Sequence, residues 1–306
     1  MKTTALPEVL PLARPRWLDF VELTKPRIAL MVLFTVAIGA LLTMPARMEL
    51  LQLVHALVGV ALVASGASAL NQWLERASDA QMRRTENRPL PSGRLSSGEV
   101  LAFGIALSVL GLGYMLATMT HGLAIIVTAI THLSYVFVYT PLKRKTTLNT
   151  LIGAVPGALP PVIGWTAMTG TLDLAAVILF LIVFFWQVPH FLAIAWMYRD
   201  DYARAGLKML PGVDADGSAT SRQMMQYALA LIPISLLPVL LGSASVMYGF
   251  GAFGLGVFFL RWVWAFALTP SDGHARRVLH ASLIYLPSVL ALLLLERWIQ
   301  YMVGLT

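Results

Sequence analysis

Nine stretches of this chain are long and apolar enough to cross a lipid bilayer. A span needs about 20 mostly apolar residues, and the runs fall near 27–45, 51–74, 100–118, 121–140, 149–168, 173–197, 224–243, 246–267 and 278–298. In hydrocarbon every backbone N–H and C=O must be satisfied within the segment, so such runs fold as helices. The expected fold is an all-α polytopic membrane protein, nine transmembrane helices in a bundle with a central cavity. Of 306 residues, 58% are hydrophobic and 12% charged, against about 25% charged in a soluble domain. Disorder and an ordinary soluble enzyme are excluded. The absence of Cys excludes disulfides, thiolate metal sites and Cys nucleophiles. Residues 1–306 read as a single membrane-embedded domain, with 1–26 as a cytoplasmic N-terminal segment.

Net charge is +7. In a soluble protein that excess suggests nucleic acid; here it marks cytoplasmic loops, and no nucleic-acid partner is expected. The basic residues cluster at the N-terminus (Lys2, Arg14, Arg16, Lys25, Arg27), after span two (Arg76, Arg83, Arg84, Arg88, Arg94), after span four (Lys143, Arg144, Lys145), after span six (Arg199, Arg204, Lys208, Arg222) and around the end of span eight (Arg261, Arg276, Arg277). Nine spans place 20 of 22 on one side and leave only Arg47 and Arg297 opposite. The N-terminus is therefore expected in the cytoplasm and the C-terminus outside. The leading segment carries Glu8, Asp19 and Glu22 and no short apolar run with a cleavage site. It resembles neither a signal peptide nor a transit peptide, so a bacterial inner (plasma) membrane is the expected location.

The spans hold few ionisable groups; the intramembrane candidates are His55, His132, His190 and His280. Polar chemistry gathers where spans two, four and six reach the cytoplasm. In the first constellation Asn71, Glu75 and Asp79 recur every four residues, one face of a helix. An amide oxygen and two carboxylates in that row suit Mg²⁺, which keeps waters and is completed by phosphate. Arg84 and Arg88 follow, suited to phosphate oxygens. Both carboxylates are expected near water.

The second constellation, Tyr139-Thr-Pro-Leu-Lys143-Arg144-Lys145, closes span four, and Thr140-Pro141 is expected to end that helix. The next span holds Gly153, Pro156, Pro160 and Pro161 and must be kinked or unwound. The third constellation runs from Trp186, Pro189 and His190 to Tyr198, Arg199, Asp200, Asp201 and Tyr202. His190 and Asp201 share a face if the helix is continuous. Asp200 and Asp201 offer a second acidic pair for metal, and Arg199 a further phosphate partner. Acids for Mg²⁺, bases for diphosphate and an apolar bundle for a lipid chain point to an isoprenyl diphosphate substrate.

At these residues the sequence resembles the UbiA superfamily of membrane prenyltransferases, and most closely its haem-modifying branch, the protoheme IX farnesyltransferases or haem O synthases. Asn71–Gly93, NQWLERASDAQMRRTENRPLPSG, resembles that branch's first motif, with Glu75 where many relatives carry Asp. Tyr139 and Lys143 match the superfamily's YxxxK element. Trp186–Pro211, WQVPHFLAIAWMYRDDYARAGLKMLP, resembles the second motif. Tyr198 and Tyr202 stand where the wider superfamily has Asp, which fits the haem branch.

The resemblance implies that farnesyl diphosphate, haem B and water give haem O and diphosphate, with Mg²⁺ as cofactor and haem B as substrate. Lys143 and Arg144 then stabilise the leaving diphosphate, with Arg84, Arg88 and Arg199 binding it. Trp73, Tyr139, Trp186, Tyr198 and Tyr202 would line the cavity around the allylic cation. His190 is left to orient water, act as a base or contact haem iron. A haem A synthase or an oxidase assembly factor is the expected protein partner. Two alternatives stand beside this: an aromatic polyprenyltransferase of quinone biosynthesis, and a lipid or metabolite transporter.

Overall fold

The apolar runs become helices with short connections, and punctuation in the sequence sets their ends. The computed structural model describes residues 15–43 and 49–304. Lys2, Glu8, Arg14 and Arg47, which enter the charge argument, lie outside the described residues. The helices run α1 Trp17–Leu23, α2 Pro26–Leu41, α3 Leu50–Asp79, α4 Ser97–Thr118, α5 Gly122–Leu133, a π-helical segment Ser134–Tyr139, α6 Thr140–Leu142, α7 Asn149–Ala158, α8 Pro160–Thr169, α9 Leu174–Met197, α10 Arg199–Arg204, α11 Leu210–Val213, α12 Ser218–Leu240, α13 Val246–Leu268 and α14 Asp272–Met302. Eight helical stretches among the described residues are long and apolar enough to span a membrane; α1 and α2, bent by 47° at Lys25, make the ninth if taken together. The outward faces carry Leu30, Phe34, Val109, Leu116, Phe250 and Trp264, all exposed. In water such a surface would aggregate; in a bilayer it is the lipid-facing side.

Ser96 starts α4 with a capping box: its side chain accepts from the Glu99 amide while Glu99 reaches back to Ser96. Small residues then set the spacing of the bundle. The Gly66 Cα faces the Ser108 hydroxyl, and Gly104 faces Leu70, so α3 and α4 lie against each other. A Cβ on Gly164 would stand 1.8 Å from the Val36 carbonyl oxygen, and one on Gly39 1.9 Å from that of Pro161. Helices α2 and α8 therefore cross backbone to backbone. The fifth span is broken as expected: α7 stops at Ala158 and α8 begins at Pro160.

Two local expectations are corrected. Thr140-Pro141 does not end the fourth span. The chain widens into the π-helical segment, the Thr140 N–H bonds Tyr135 O five residues back, and the helix continues through Pro141 to Leu142. Widening removes the clash that a proline imposes on the preceding turn. Helix α9 does not continue to Asp201; it stops at Met197 and restarts at Arg199, so His190 and Asp201 are not on one uninterrupted helix. As the four-residue spacing predicts, α3 continues past residue 74 to Asp79, and Asn71, Glu75 and Asp79 lie on one helix.

Candidate active site

The acidic row is the last two turns of α3, and it is sealed. Asn71 is 2% exposed, Glu75 8% and Asp79 0%. The expectation that both carboxylates lie near water is therefore wrong: both are buried, behind Lys143, which follows α6, and Arg88 of the loop after α3. Each donor faces a cation from a different part of the chain. Lys25 Nζ donates to Asn71 Oδ1 at 3.1 Å, Lys143 Nζ to Glu75 Oε1 at 2.6 Å, and Arg88 Nη1 to Asp79 Oδ2 at 2.7 Å. Asn71 Nδ2 donates to Thr140 Oγ1, which fixes the amide with its oxygen toward Lys25. A row of oxygens thus confronts a row of cations.

The π-helical turn positions the second constellation. It brings Tyr139 beneath Lys143, whose ammonium lies 4.6 Å from the ring centroid. Gly153 leaves room for that ring; a Cβ there would sit 2.5 Å from Tyr139 Cε2. Burial pulls the Lys143 ammonium down, but the Glu75 carboxylate, with Tyr139 and Tyr135, more than offsets this and holds it above its ordinary value. Lys143 is a fixed cation at neutral pH.

The three constellations are joined by single bonds. Arg144 Nη2 donates to Ser78 Oγ at 2.6 Å, linking the second to the first. The Lys208 amide donates to Lys143 O at 2.7 Å, linking the second to the third. Arg84 Nη2 donates to Tyr202 Oη at 3.2 Å, and its guanidinium lies 5.0 Å from the Tyr198 ring and 5.8 Å from that of Tyr202. Met82 packs with Ala195, Ala205, Leu207 and Met209 beneath that contact.

Four expected members are placed elsewhere. Trp73 lies on the opposite side of α3 from Asn71 and Glu75, in a cluster with Leu23 and Leu95, and donates to Ser97 Oγ. Arg199 donates to Trp196 O and to Asp272 Oδ1 at 2.6 Å. Asp201 accepts from Arg204 at 2.7 Å, and Asp200 is exposed on α10. Among the described residues no three His, Cys, Asp or Glu side chains come together as a metal site. The five-residue metal set is therefore not assembled; the row of Asn71, Glu75 and Asp79 is.

That row still fits a hard cation. Asp79 Oδ1 is buried and has no hydrogen-bond partner among the described residues. A buried carboxylate oxygen left bare costs free energy and calls for a positive partner. The set is all oxygen, as Mg²⁺ requires.

Sequence reasoning missed Lys25, counting it only as a positive loop residue. It is the one non-glycine residue with positive φ, 49°, among the described residues. That conformation costs about 1–3 kcal/mol and persists where surroundings impose it. Its signal in the sequence is the Lys25-Pro26 step at the mouth of the first span. Deeper in α9, Trp186 and His190 stack at 4.9 Å and both bond Ser282 of α14.

The chain matches the model of the UbiA prenyltransferase family over residues 32–294. The chain belongs to the UbiA prenyltransferase family. A relative from Solibacter usitatus (strain Ellin6076), named protoheme IX farnesyltransferase, is 48% identical over 293 residues, covering 91% of this chain and 98% of its own. Among solved structures, digeranylgeranylglyceryl phosphate synthase matches at a TM-score of 0.77 with 19% identity, over 92% of this chain and 98% of that one. A UbiA homolog from Archaeoglobus fulgidus, bound to GPP and Mg²⁺, matches at 0.64 with 15% identity, over 90% and 99%. At those identities the structures establish the UbiA fold.

Proposed function

We propose that this UbiA-family prenyltransferase joins the farnesyl group of farnesyl diphosphate to a vinyl group of haem B, giving haem O and diphosphate. The observation that carries the reading is the 48% identity to the Solibacter protoheme IX farnesyltransferase along nearly the full length of both chains. The geometry at the end of α3 supports it. Lys25, Lys143 and Arg88 already balance three buried oxygen donors, so a diphosphate entering with a divalent cation satisfies both rows at once.

Asn71, Glu75 and Asp79 would hold Mg²⁺, which when bound supplies positive charge against the diphosphate. The chain's own part follows from the contacts. Lys143 and Arg88 turn from the carboxylates toward diphosphate oxygens, and Lys25 closes the third side. Arg84, held between two tyrosine rings, reaches the same anion from the loop after α3, with Arg144 anchored nearby on Ser78. The C–O bond at the allylic carbon breaks, with the electron pair leaving on diphosphate, and fixed cations lower the cost of that charge. Tyr139, packed under Lys143, shields the cationic carbon. The vinyl group attacks, a C–C bond forms, and water adds its oxygen to the new cation and releases a proton.

The positive side of the chain faces the cytoplasm of a bacterium in this reading, with the C-terminus outside and the site opening inward. The product passes to a haem A synthase or an oxidase assembly factor. Offering haem B with farnesyl diphosphate and 4-hydroxybenzoate with a long polyprenyl diphosphate in one reaction tests the acceptor. Consumption of haem alone supports the assignment; a prenylated benzoate in its place overturns it in favour of a quinone-pathway enzyme.

A further inference from the structure

Ser282, near the middle of α14, makes a chain of contacts that the reaction above leaves unused. Its Oγ lies 2.6 Å from Leu279 O and 2.7 Å from His190 Nδ1. Two oxygens 2.6 Å apart repel unless a proton lies between them, and the only proton there is the hydroxyl's. Ser282 therefore donates to Leu279 O, and its oxygen is left to accept. The proton on the short His190 contact must then sit on Nδ1. The neutral imidazole is fixed as the Nδ1–H tautomer, with its lone pair on Nε2.

The ring is also held in plane. Trp186 stacks on it at 4.9 Å and 27°, and the Trp186 indole N–H donates to Ser282 O at 2.8 Å. One residue of α14 thus locks both the aromatic platform and the tautomer. Nε2 makes no hydrogen bond among the described residues, yet it is not among their sealed, unpartnered polar atoms. Nor does His190 repair the backbone next to Pro189, since its bonded nitrogen goes to another helix. An imidazole held by an acceptor at one nitrogen, with the other bare, is the arrangement by which proteins present histidine to a metal.

We infer that Ser282 is a positioning residue that fixes His190 as the Nδ1–H tautomer so that Nε2 takes the iron of the porphyrin acceptor. The inference rests on the haem reading of the site and adds to it how the acceptor is held. His190 lies eight residues before Tyr198, about 12 Å deeper at 1.5 Å per residue. That separates an iron anchor from the diphosphate cluster, so the two substrates bind through different residues.

The test is a titration of the purified, detergent-solubilised protein with ferric haem B, read by its absorption spectrum, with farnesyl diphosphate affinity measured in parallel. The wild type should give the spectrum of imidazole-ligated haem, and His190→Ala should lose it. Ser282→Ala should weaken haem affinity about 10–100-fold, the usual effect of removing a ligand's partner. Ser282→Thr, which keeps the hydroxyl, should restore it, and imidazole added to His190→Gly should return the ligated spectrum. Farnesyl diphosphate affinity should stay within a few-fold throughout, which separates a local effect from misfolding. A wild-type spectrum in His190→Ala, or unchanged haem affinity in Ser282→Ala, overturns the inference while haem O production still stands. A protein that makes no haem O fails the underlying reading instead.

Discussion

Asp79 gives one carboxylate oxygen to Arg88, 2.7 Å away, and keeps the other buried without a partner. One oxygen is balanced by the protein and the other is bare; in the proposed reading that oxygen takes Mg²⁺. Asp79→Asn keeps the size and loses the charge, so farnesyl transfer should fall by at least about 10²-fold, the scale of losing one electrostatic contact to a leaving group. Excess EDTA should abolish turnover in the wild type, and Mg²⁺ should restore it. Steady-state rates with and without chelator decide this; full activity in EDTA removes the metal from the account.

Glu75 and Lys143 form a buried pair at 2.6 Å, and breaking it from either side strands a charge. Lys143→Met or Glu75→Gln alone should destabilise by about 3–5 kcal/mol. The double variant strands nothing and should recover much of that stability, while activity stays lost because the diphosphate has lost its cation. Thermal unfolding in detergent, run as a double-mutant cycle, reads the coupling. The raised Lys143 value sets the pH dependence. Its stabilisation is fully present below the unfolded value near ~10.4 and is lost only as pH climbs through the higher folded value. Lys143 should add no limb to a rate profile between about pH 6 and 9.

Arg84 lies against the rings of Tyr198 and Tyr202, the two tyrosines that flank the Asp200–Asp201 pair in the sequence. Arg84→Ala should raise the KM for farnesyl diphosphate more than tenfold. Tyr202→Phe, which removes one hydrogen bond of about 1 kcal/mol, should raise it a few-fold. Asp200→Ala should stay near wild type. Initial rates over a range of farnesyl diphosphate give all three; a dead Asp200→Ala enzyme would restore the second metal site.

The crossing of α2 and α8 leaves no room for a methyl group at Gly164. Gly164→Ala should lower stability by about 1–3 kcal/mol or more through overpacking. Gly113→Ala, with open space around it, should be neutral or slightly stabilising. Melting temperatures of the two variants in one detergent make the comparison.

The helices were legible in the sequence because bilayer thickness sets their length. The row of Asn71, Glu75 and Asp79 was legible because a four-residue spacing becomes one face on any helix. What faces that row was not. Lys25, Arg88 and Lys143 lie in three different cytoplasmic segments, and only the packing of α1, α3 and α6 brings them together. Arg94 reads as one more positive loop residue, yet it clamps α1 by bonding Asp19 and Glu22. Arg199 and Arg204 are likewise bound by Asp272 and Asp201. A charge count sees the same number of cations whether they serve substrate or structure. Trp73 misled for a related reason: it is two residues from Asn71, and that step points it to the far side of the helix. Ser282 carries no local motif, and its role exists only through its distance to His190.

In the proposed reaction farnesyl, haem and water are joined at this site. Purified protein, haem B, farnesyl diphosphate and Mg²⁺ should be incubated in ¹⁸O-labelled water and the haem product weighed by mass spectrometry. The expected product is haem enlarged by one farnesyl group and one labelled hydroxyl, with one diphosphate released for each, and Asp79→Asn should form it at least about 10²-fold more slowly. Unaltered haem, or a farnesylated haem without the labelled oxygen, would overturn the proposed reaction.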